Sequence, residues 1–323
     1  MSVNAFIFPG QGSQAVGMGR DLAAAFAAAR EVFDEVDEIL SQRLSKLMFE
    51  GPADELTMTE NTQPALMAVS LAVVRVLERE GGFSLADKAT LVAGHSLGEY
   101  SALAAAKAFS VTDAARLLRL RGNAMQRAVP AGLGGMAALL GVEMDQAVQI
   151  CLEAAEYTNE TGQTIREVVQ AANDNGGGQV VISGHKSAIE RAIEIAKSKG
   201  VKRAMLLPVS APFHCALMAP AASAMFEALG AATVHAPVVP LIANVSAAKA
   251  TAPDAIRDLL VQQVTGTVRW RESVITMNEM GIDQFIELGS GKVLTGLVRR
   301  ISPDSGAVSA SNPAEIEALL KLL

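Results

Sequence analysis

Thr90-Leu91-Val92-Ala93-Gly94-His95-Ser96-Leu97-Gly98 is the stretch on which the fold turns. Thr90 to Ala93 form a short apolar run that predicts a buried strand, and the alanine-rich segment Leu97–Lys107 that follows predicts a helix. Only Gly94-His95-Ser96 lies between them, so the chain must turn sharply there. The same residues satisfy the pattern G-x-S-x-G, whose glycines let strand and helix crowd around a serine and leave its hydroxyl exposed at the sheet edge. In a glycine-rich chain the bare pattern is weak evidence, and the strand-turn-helix setting is what gives it weight. A helix beginning at Leu97 would also aim a free backbone N–H and the positive end of its dipole at an anion beside Ser96.

Working outward, Ala5–Phe8 reads as a first strand ending in Pro9-Gly10-Gln11-Gly12-Ser13-Gln14, a loop whose glycines free the backbone to point N–H groups inward. Helices are predicted from about Met18 to Phe33 and from Pro64, where proline suits a first turn, to Gly81-Gly82. Ser110 and Asp113 have the spacing of a capping box for a helix reaching about Val129 that carries Arg116, Arg119 and Arg121. After Pro130, the segments Gly135–Leu140, Glu143–Tyr157, Gln179–Ser183, Lys186–Lys199 and Arg203–Leu207 alternate β-α-β-α-β, which marks residues 129–207 as an inserted small lobe. Tyr157–Gly178 holds Thr158-Asn159-Glu160-Thr161-Gly162 and three successive glycines, and is expected to be an exposed loop with some helix. Strands at Leu241–Asn244 and Gln284–Leu288, with helices Pro253–Val264, Trp270–Met280 and Val293–Ile301, return the chain to the first domain. Residues 1–128 and 208–323 are thus expected to form one discontinuous large domain.

Of the 323 residues, 50% are hydrophobic but only 4% aromatic, which suits helices packed closely on a sheet in an α/β fold. No apolar run reaches the roughly 18 residues of a membrane-spanning helix, and Ala5-Phe6-Ile7-Phe8 follows no basic leader or cleavage site, so a soluble, cytoplasmic protein is expected. Cys151 and Cys215 have neither metal-ligand nor disulfide spacing and read as reduced thiols, most simply small buried side chains. The net charge of -7 disfavours nucleic acid and anionic membrane as partners. An acidic partner would need a local basic patch such as Lys197, Lys199, Lys202 and Arg203, or Arg299 and Arg300; ordinary solvated charge near helix ends is an equal reading.

A serine nucleophile needs a base, and the chain offers four histidines. His95 adjoins Ser96 but should point to the other side of the turn, His185 follows a lobe strand, and His235 lies in a loop with few polar neighbours. His214, in Val209-Ser210-Ala211-Pro212-Phe213-His214-Cys215, sits on a proline-restricted loop that suits a rigid base. From the residues alone, a catalytic base and a satisfied structural histidine weigh equally at that position. Arg121, by the same reading, is first a surface arginine near a helix end.

The ordered segments PGQGSQ (Pro9–Gln14), TENTQPAL (Thr59–Leu66), GHSLGEY (Gly94–Tyr100), Arg121-Gly122, QVVISGH (Gln179–His185), APFHCALM (Ala211–Met218) and ELGSGKVLTGL (Glu287–Leu297) span nearly the whole chain. Together they resemble the malonyl-CoA:acyl carrier protein transacylases of bacterial fatty-acid synthesis. The resemblance implies an α/β-hydrolase-like large domain with an inserted ferredoxin-like small lobe and an active site in the cleft between them. It implies a Ser96–His214 dyad whose base is oriented by a backbone carbonyl, which maps to Gln263, in place of an aspartate. The oxyanion donors map to the N–H groups of Gln11 and Leu97, and Arg121 to the group that holds the free malonyl carboxylate, a task for which a planar guanidinium is suited. Gln263 maps beside the dyad, and Asn175 corresponds to an active-site asparagine on the small lobe. The stretch from Tyr157 to Gln170 is longer than is usual in the family.

The same resemblance implies malonyl-CoA as donor, acyl carrier protein as partner, coenzyme A as a substrate portion, no metal or redox cofactor, and a monomer. Leu97 and Phe213 match members that select malonyl over methylmalonyl groups. Three other readings remain open from sequence: an acyltransferase serving a polyketide carrier, a serine hydrolase that releases acyl groups to water, and a noncatalytic carrier-binding scaffold.

Overall fold

Side chains along a strand alternate between two faces, so a sheet covered on both sides must supply two cores. In the computed structural model, which describes residues 2–323, the strand Asn4–Phe8 (β1) does this. Phe6 and Phe8 enter the main hydrophobic core, while Ala5 and Ile7 enter a second core on the opposite face. The strand Leu91–Gly94 (β2) divides in the same way, with Val92 on one side and Leu91 and Ala93 on the other. This two-sided burial explains why both strands read as continuous apolar runs.

The chain continues through β3 (Gly134–Leu140), β4 (Glu156–Thr158), β5 (Thr164–Arg166), β6 (Val169–Gly176), β7 (Gln179–His185) and β8 (Arg203–Leu206). It ends with β9 (Leu241–Ile242), β10 (Lys249–Ala250), β11 (Gln284–Leu288) and β12 (Gly306–Ala310). The large sheet has the order β10-β9-β2-β1-β11-β12 and is parallel except for its β9–β10 edge. The chain therefore has a mixed α/β architecture. A second, antiparallel sheet has the order β6-β7-β3-β8, and β4 and β5 form a separate hairpin. In the second sheet Ala137, Leu139, Val180 and Ile182 face a small core closed by the helices Met144–Ala155 and Lys186–Ser198. Met136 and Val181, on the other face, belong to the main core.

The structure corrects the sequence reading in four places. Tyr157–Gly178 contains no helix: it holds nearly all of the β4–β5 hairpin and the whole of β6, so that, the hairpin aside, residues 129–207 follow a β-α-β-β-α-β order. The missed strand carries Asn173-Asp174-Asn175, three polar residues that are all buried and so disguise it as a loop. Their partners are distant in sequence: Asp174 N–H donates to Val268 O at 2.9 Å, Val268 N–H to Ala172 O at 2.8 Å, and Arg271 Nε pairs with Asp174 Oδ2 at 2.9 Å. The helix expected over Met18–Phe33 is two, Arg20–Ala25 and Ala27–Leu40, because Phe26 adopts an extended backbone and re-aims the chain so that Ala28, Ala29, Val32 and Phe33 are buried.

The helix expected from Pro64 starts at Thr59 and runs to Gly81, with Pro64 inside it. Only one hydrogen bond is forfeited to the missing N–H, and Thr62 Oγ1 and Asn61 Nδ2 bond the carbonyls of Leu56 and Glu55 in the preceding short helix Ala53–Thr57 at 2.6 and 2.9 Å. The strand expected over Leu241–Asn244 stops at Ile242, freeing Asn244 for another task. Other elements follow the sequence closely: the helix Val111–Ala128 is capped by Ser110, whose Oγ accepts from Asp113 N at 3.0 Å. Cys151 and Cys215 are buried free thiols. Among the described residues no helix is long and apolar enough to cross a membrane.

Candidate active site

Ser96 stands at the end of β2 with a left-handed φ of 54°, a conformation that a residue with a side chain adopts only under constraint. The constraint is steric. A Cβ on Gly94 would lie 1.9 Å from Gly98 O, and one on Gly98 would lie 2.2 Å from Phe8 O, so neither glycine admits a substituent. Asn244 then pins the turn: its Oδ1 accepts from Ser96 N at 2.8 Å and its Nδ2 donates to Gly94 O at 2.7 Å.

His214 also has a left-handed φ, 59°, and is 4% exposed. Its Nε2 lies 2.7 Å from Ser96 Oγ and its Nδ1 lies 2.8 Å from Gln263 O. A carbonyl can only accept, so the ring proton belongs on Nδ1 and the Nε2 lone pair faces the serine hydroxyl. Burial above all, and then the charge of Arg121, hold the imidazole pKa down to about 3, so the ring is a neutral acceptor at physiological pH.

The first loop packs against this turn, since a Cβ on Gly10 would meet His95 O at 2.6 Å. Among the described residues neither Gln11 N–H nor Leu97 N–H has an acceptor. Both residues line the same cavity as Ser96.

Arg121 lies on the helix Val111–Ala128 and is only 1% exposed, which overturns the surface reading. The glycine beside it explains how: a Cβ on Gly122 would sit 2.6 Å from Glu60 Cα, so this helix can press against the start of Thr59–Gly81 and bring Gln63 within reach. Arg121 Nη1 donates to Gln63 Oε1 at 2.8 Å, and Nη2 donates to Gln263 Oε1 at 2.8 Å and to Ser96 Oγ at 3.1 Å. Every one of these acceptors is neutral, and among the described residues no carboxylate lies within ion-pair distance of the guanidinium.

The cavity above Ser96 has a volume of about 560 Å³ and is lined by Gln11, Arg121, Met125 and Phe213 from loops and a helix and by Met136 and Asn175 from the second sheet. Asn175 does not touch the Ser96–His214 pair; its Oδ1 lies 2.9 Å from His95 Nε2, tying β6 to the serine turn. His95 thus lines the same cavity with its ring turned toward β6, while His185 holds Val168 N and His235 is exposed. Of the basic clusters, Lys197 and Lys199 are paired with Glu194 and Glu153 at 2.7 and 2.8 Å, and Arg299 and Arg300 bond Ala307 O and Gln179 Oε1.

Three residues in the network escaped the sequence reading. Gln63 lay within the quoted TENTQPAL segment, and Glu99 stood three positions after Ser96 as the one charge in the helix Gly98–Ala105, a signal that was available. Asn244 offers no comparable signal, because its role depends on where a short strand ends.

An acyl transferase domain profile matches residues 5–307. The malonyl CoA-acyl carrier protein transacylase of Escherichia coli K12 is 46% identical over 322 residues, covering 100% of both chains. Among solved structures, the acyl-carrier-protein S-malonyltransferase of Bartonella henselae superposes with a TM-score of 0.94 at 57% identity, covering 99% of each chain. A malonyl-transacylase solved in complex with a type II polyketide synthase acyl-carrier protein superposes with a TM-score of 0.93 at 41% identity, covering 100% of each. Fold and sequence agree over the full length, and the chain belongs to the malonyl-CoA:acyl carrier protein transacylase family of acyl transferases.

Proposed function

We propose that this chain transfers a malonyl group from malonyl-CoA to the phosphopantetheine thiol of acyl carrier protein through a malonyl ester on Ser96. The observation that carries the reading is Arg121, a buried guanidinium beside the serine with only neutral acceptors. A buried cation with no carboxylate in direct contact, Glu99 acting on it only at longer range, is costly. In a malonyl thioester a single methylene separates the free carboxylate from the reacting carbonyl, so an acyl group held by Arg121 presents its carbonyl to Ser96.

In the first half-reaction Ser96 Oγ attacks the thioester carbon as its proton passes to His214 Nε2. The oxyanion accepts from the N–H groups of Gln11 and Leu97. Collapse breaks the C–S bond, and the proton on Nε2 moves to the departing coenzyme A sulfur. In the second half the carrier thiol gives its proton to Nε2 and attacks the ester carbon, and Ser96 Oγ leaves and regains the proton. Gln263 O keeps the Nδ1 proton in place throughout, doing the orienting work of an absent acid. Every proton and charge has a protein group to receive it, and coenzyme A and the carrier enter as substrates.

This reading includes residues 129–207 as a ferredoxin-like lobe inserted in an α/β-hydrolase-like domain of residues 1–128 and 208–323. The β-α-β-β-α-β order and the antiparallel β6-β7-β3-β8 sheet support the first part, and the parallel sheet with Ser96 at the end of β2 supports the second. A cytoplasmic monomer belongs to the same reading, with Asn175 supporting the cleft from the small-lobe side. A second reading keeps the chemistry and changes the partner to a polyketide carrier, and is supported by the structural likeness to a transacylase solved with such a carrier.

Intact-mass measurement after brief mixing with malonyl-CoA tests the proposal. Wild type is expected to gain one malonyl group and lose it on addition of holo acyl carrier protein, while Ser96→Ala gains none. Arg121→Ala is expected to lose malonyl loading by about 30-fold or more, as for a broken buried charge contact, with little effect on acetyl loading. An adduct released to water at the same rate with or without carrier would make the protein a hydrolase instead.

A further inference from the structure

Glu99 is 1% exposed and touches neither Ser96 Oγ nor the His214 ring, yet a hydrogen-bonded restraint on each member of that pair leads back to it. Its Oε2 accepts from Asn244 N at 3.0 Å and from Gln263 Nε2 at 2.8 Å. Asn244 holds Ser96 N and Gly94 O. Gln263 donates from Nε2 to Ser96 O at 2.9 Å, accepts the His214 Nδ1 proton on its backbone oxygen, and takes Arg121 Nη2 on Oε1. One oxygen thus fixes a residue on the nucleophile's side and a residue on the base's side at the same time.

We propose that Glu99 is a positioning residue, whose single oxygen, shared by Asn244 and Gln263, sets the approach of His214 to Ser96. The inference rests on the Ser96–His214 chemistry proposed above and adds the part that aligns it. Among the described residues Glu99 Oε1 has no hydrogen-bond partner. Burial raises the carboxyl pKa to about 7, against the opposing effects of the Gln263 and Asn244 bonds and of Arg121. A proton therefore has a vacant place on Oε1, and Oε2 keeps both donors in either charge state. What matters is where the oxygen sits, not its charge. Glu99→Gln keeps an oxygen there and puts its amide where Oε1 was; Glu99→Asp keeps the charge but withdraws the oxygen by one methylene.

The test compares these variants with wild type in two rates. One is labelling of Ser96 by a fluorophosphonate, which forms an O–P bond, expels fluoride and requires only an activated serine. The other is malonyl-ester formation from malonyl-CoA. The proton NMR signal of His214 Nδ1–H reports the alignment independently of turnover, and thermal unfolding reports the folded fraction. Glu99→Asp is expected to slow both rates by about 10- to 100-fold, the usual consequence of sub-ångström misplacement, and to move the Nδ1 signal upfield. Glu99→Gln is expected to stay within about threefold of wild type with the signal in place. A Glu99→Asp protein as fast as wild type, or a folded Glu99→Gln protein that loses rate and signal, would overturn the proposal. If Glu99→Asp does not fold, Glu99→Gln alone decides on the same criteria. Wild type that reacts with the fluorophosphonate but not with malonyl-CoA would sink the transfer reading and leave the Glu99 comparison readable.

Discussion

Ser96 and His214 share an uncommon backbone, φ 54° and 59° on residues that carry side chains, but the two are held there by different means. The Ser96 turn is shaped first by its own neighbours, Gly94 and Gly98, whose missing Cβ atoms let a strand, a turn and a helix occupy one small volume that Asn244 then pins. His214 has no such local clamp. Its restraint is Gln263, 49 positions further on, and its partner Ser96 lies 118 positions back. Each strained residue costs about 1–3 kcal/mol, which in the first case is offset by backbone packing and in the second by a hydrogen-bonded network. Damage to the serine turn should therefore reach the fold, and damage to the histidine mount should stop at the chemistry.

The largest effect expected from that contrast is at Gly98. A methyl group there must displace Phe8 O, part of the central strand β1, from a contact of 2.2 Å. Gly98→Ala is expected to lose about 3 kcal/mol or more of folding stability, measured by urea unfolding, if it folds at all. His214→Ala is expected to unfold within about 1.5 kcal/mol of wild type while Ser96 acylation falls by roughly 10⁴-fold or more. A Gly98→Ala protein with native stability and activity would break the distinction, since the turn would then owe nothing to steric exclusion.

The same contrast explains what the sequence discloses. Gly94, Ser96 and Gly98 are legible because the steric demand leaves its mark in five consecutive residues, even though the atom that excludes a side chain at Gly98 belongs to Phe8. The two-sided core of β1 and β2 is legible for a similar reason, as an unbroken apolar run. Read as residues, His214 stands out among four histidines but weighs equally as a base and as a structural residue, and Arg121 is an ordinary helix arginine; only the resemblance carried by the other segments decides both. The polar residues of β6 are misread outright: Asn173 and Asp174 look like a turn because the Val268 backbone and Arg271, which hold the strand at Ala172 and Asp174, lie nearly a hundred positions away. Pro64 misleads in the opposite direction, since a local rule for helix starts yields to a helix already begun at Thr59.

The pH dependence of acylation sharpens the account of the histidine mount. With the His214 pKa held down to about 3, Nε2 is expected to stay unprotonated at pH 5, so the fluorophosphonate rate at Ser96 should not fall with a midpoint near 6.5. The effect on stability has a definite sign. Between pH 6.5 and about 3 the unfolded chain binds a proton at this residue that the native chain refuses, so its contribution is present above pH 6.5 and is lost as pH falls through that window. Glu99 acts in the opposite direction: the native carboxyl keeps its proton up to about pH 7 and the unfolded one releases it near 4.5, so its contribution is lost as pH rises between those values. Glu99→Gln should therefore steepen the loss of stability on acidification below pH 6.5. An acid limb in the wild-type rate centred near 6.5 would mean an imidazole titrating as it does in water, and hence a mount far more open than its 4% exposure allows.

The smallest effect is expected at Asn175, where the comparison meets a third kind of restraint. Its bond to His95 joins β6 to the far side of the serine turn, yet it is one tie among several, for Val268, Thr267 and Arg271 hold the same strand by bonds at Ala172 O, Ala171 O and Asp174. Removing one neutral hydrogen bond of this kind costs about 1 kcal/mol, so Asn175→Ala is expected to slow malonyl loading and discharge by only about 2- to 10-fold. Both rates can be followed separately by quenched-flow mass measurement, and the two should fall together, because the His95 side of the turn serves both half-reactions alike. A loss confined to discharge would instead place Asn175 against the incoming carrier thiol, and a loss beyond a hundredfold would put it in contact with the reacting atoms.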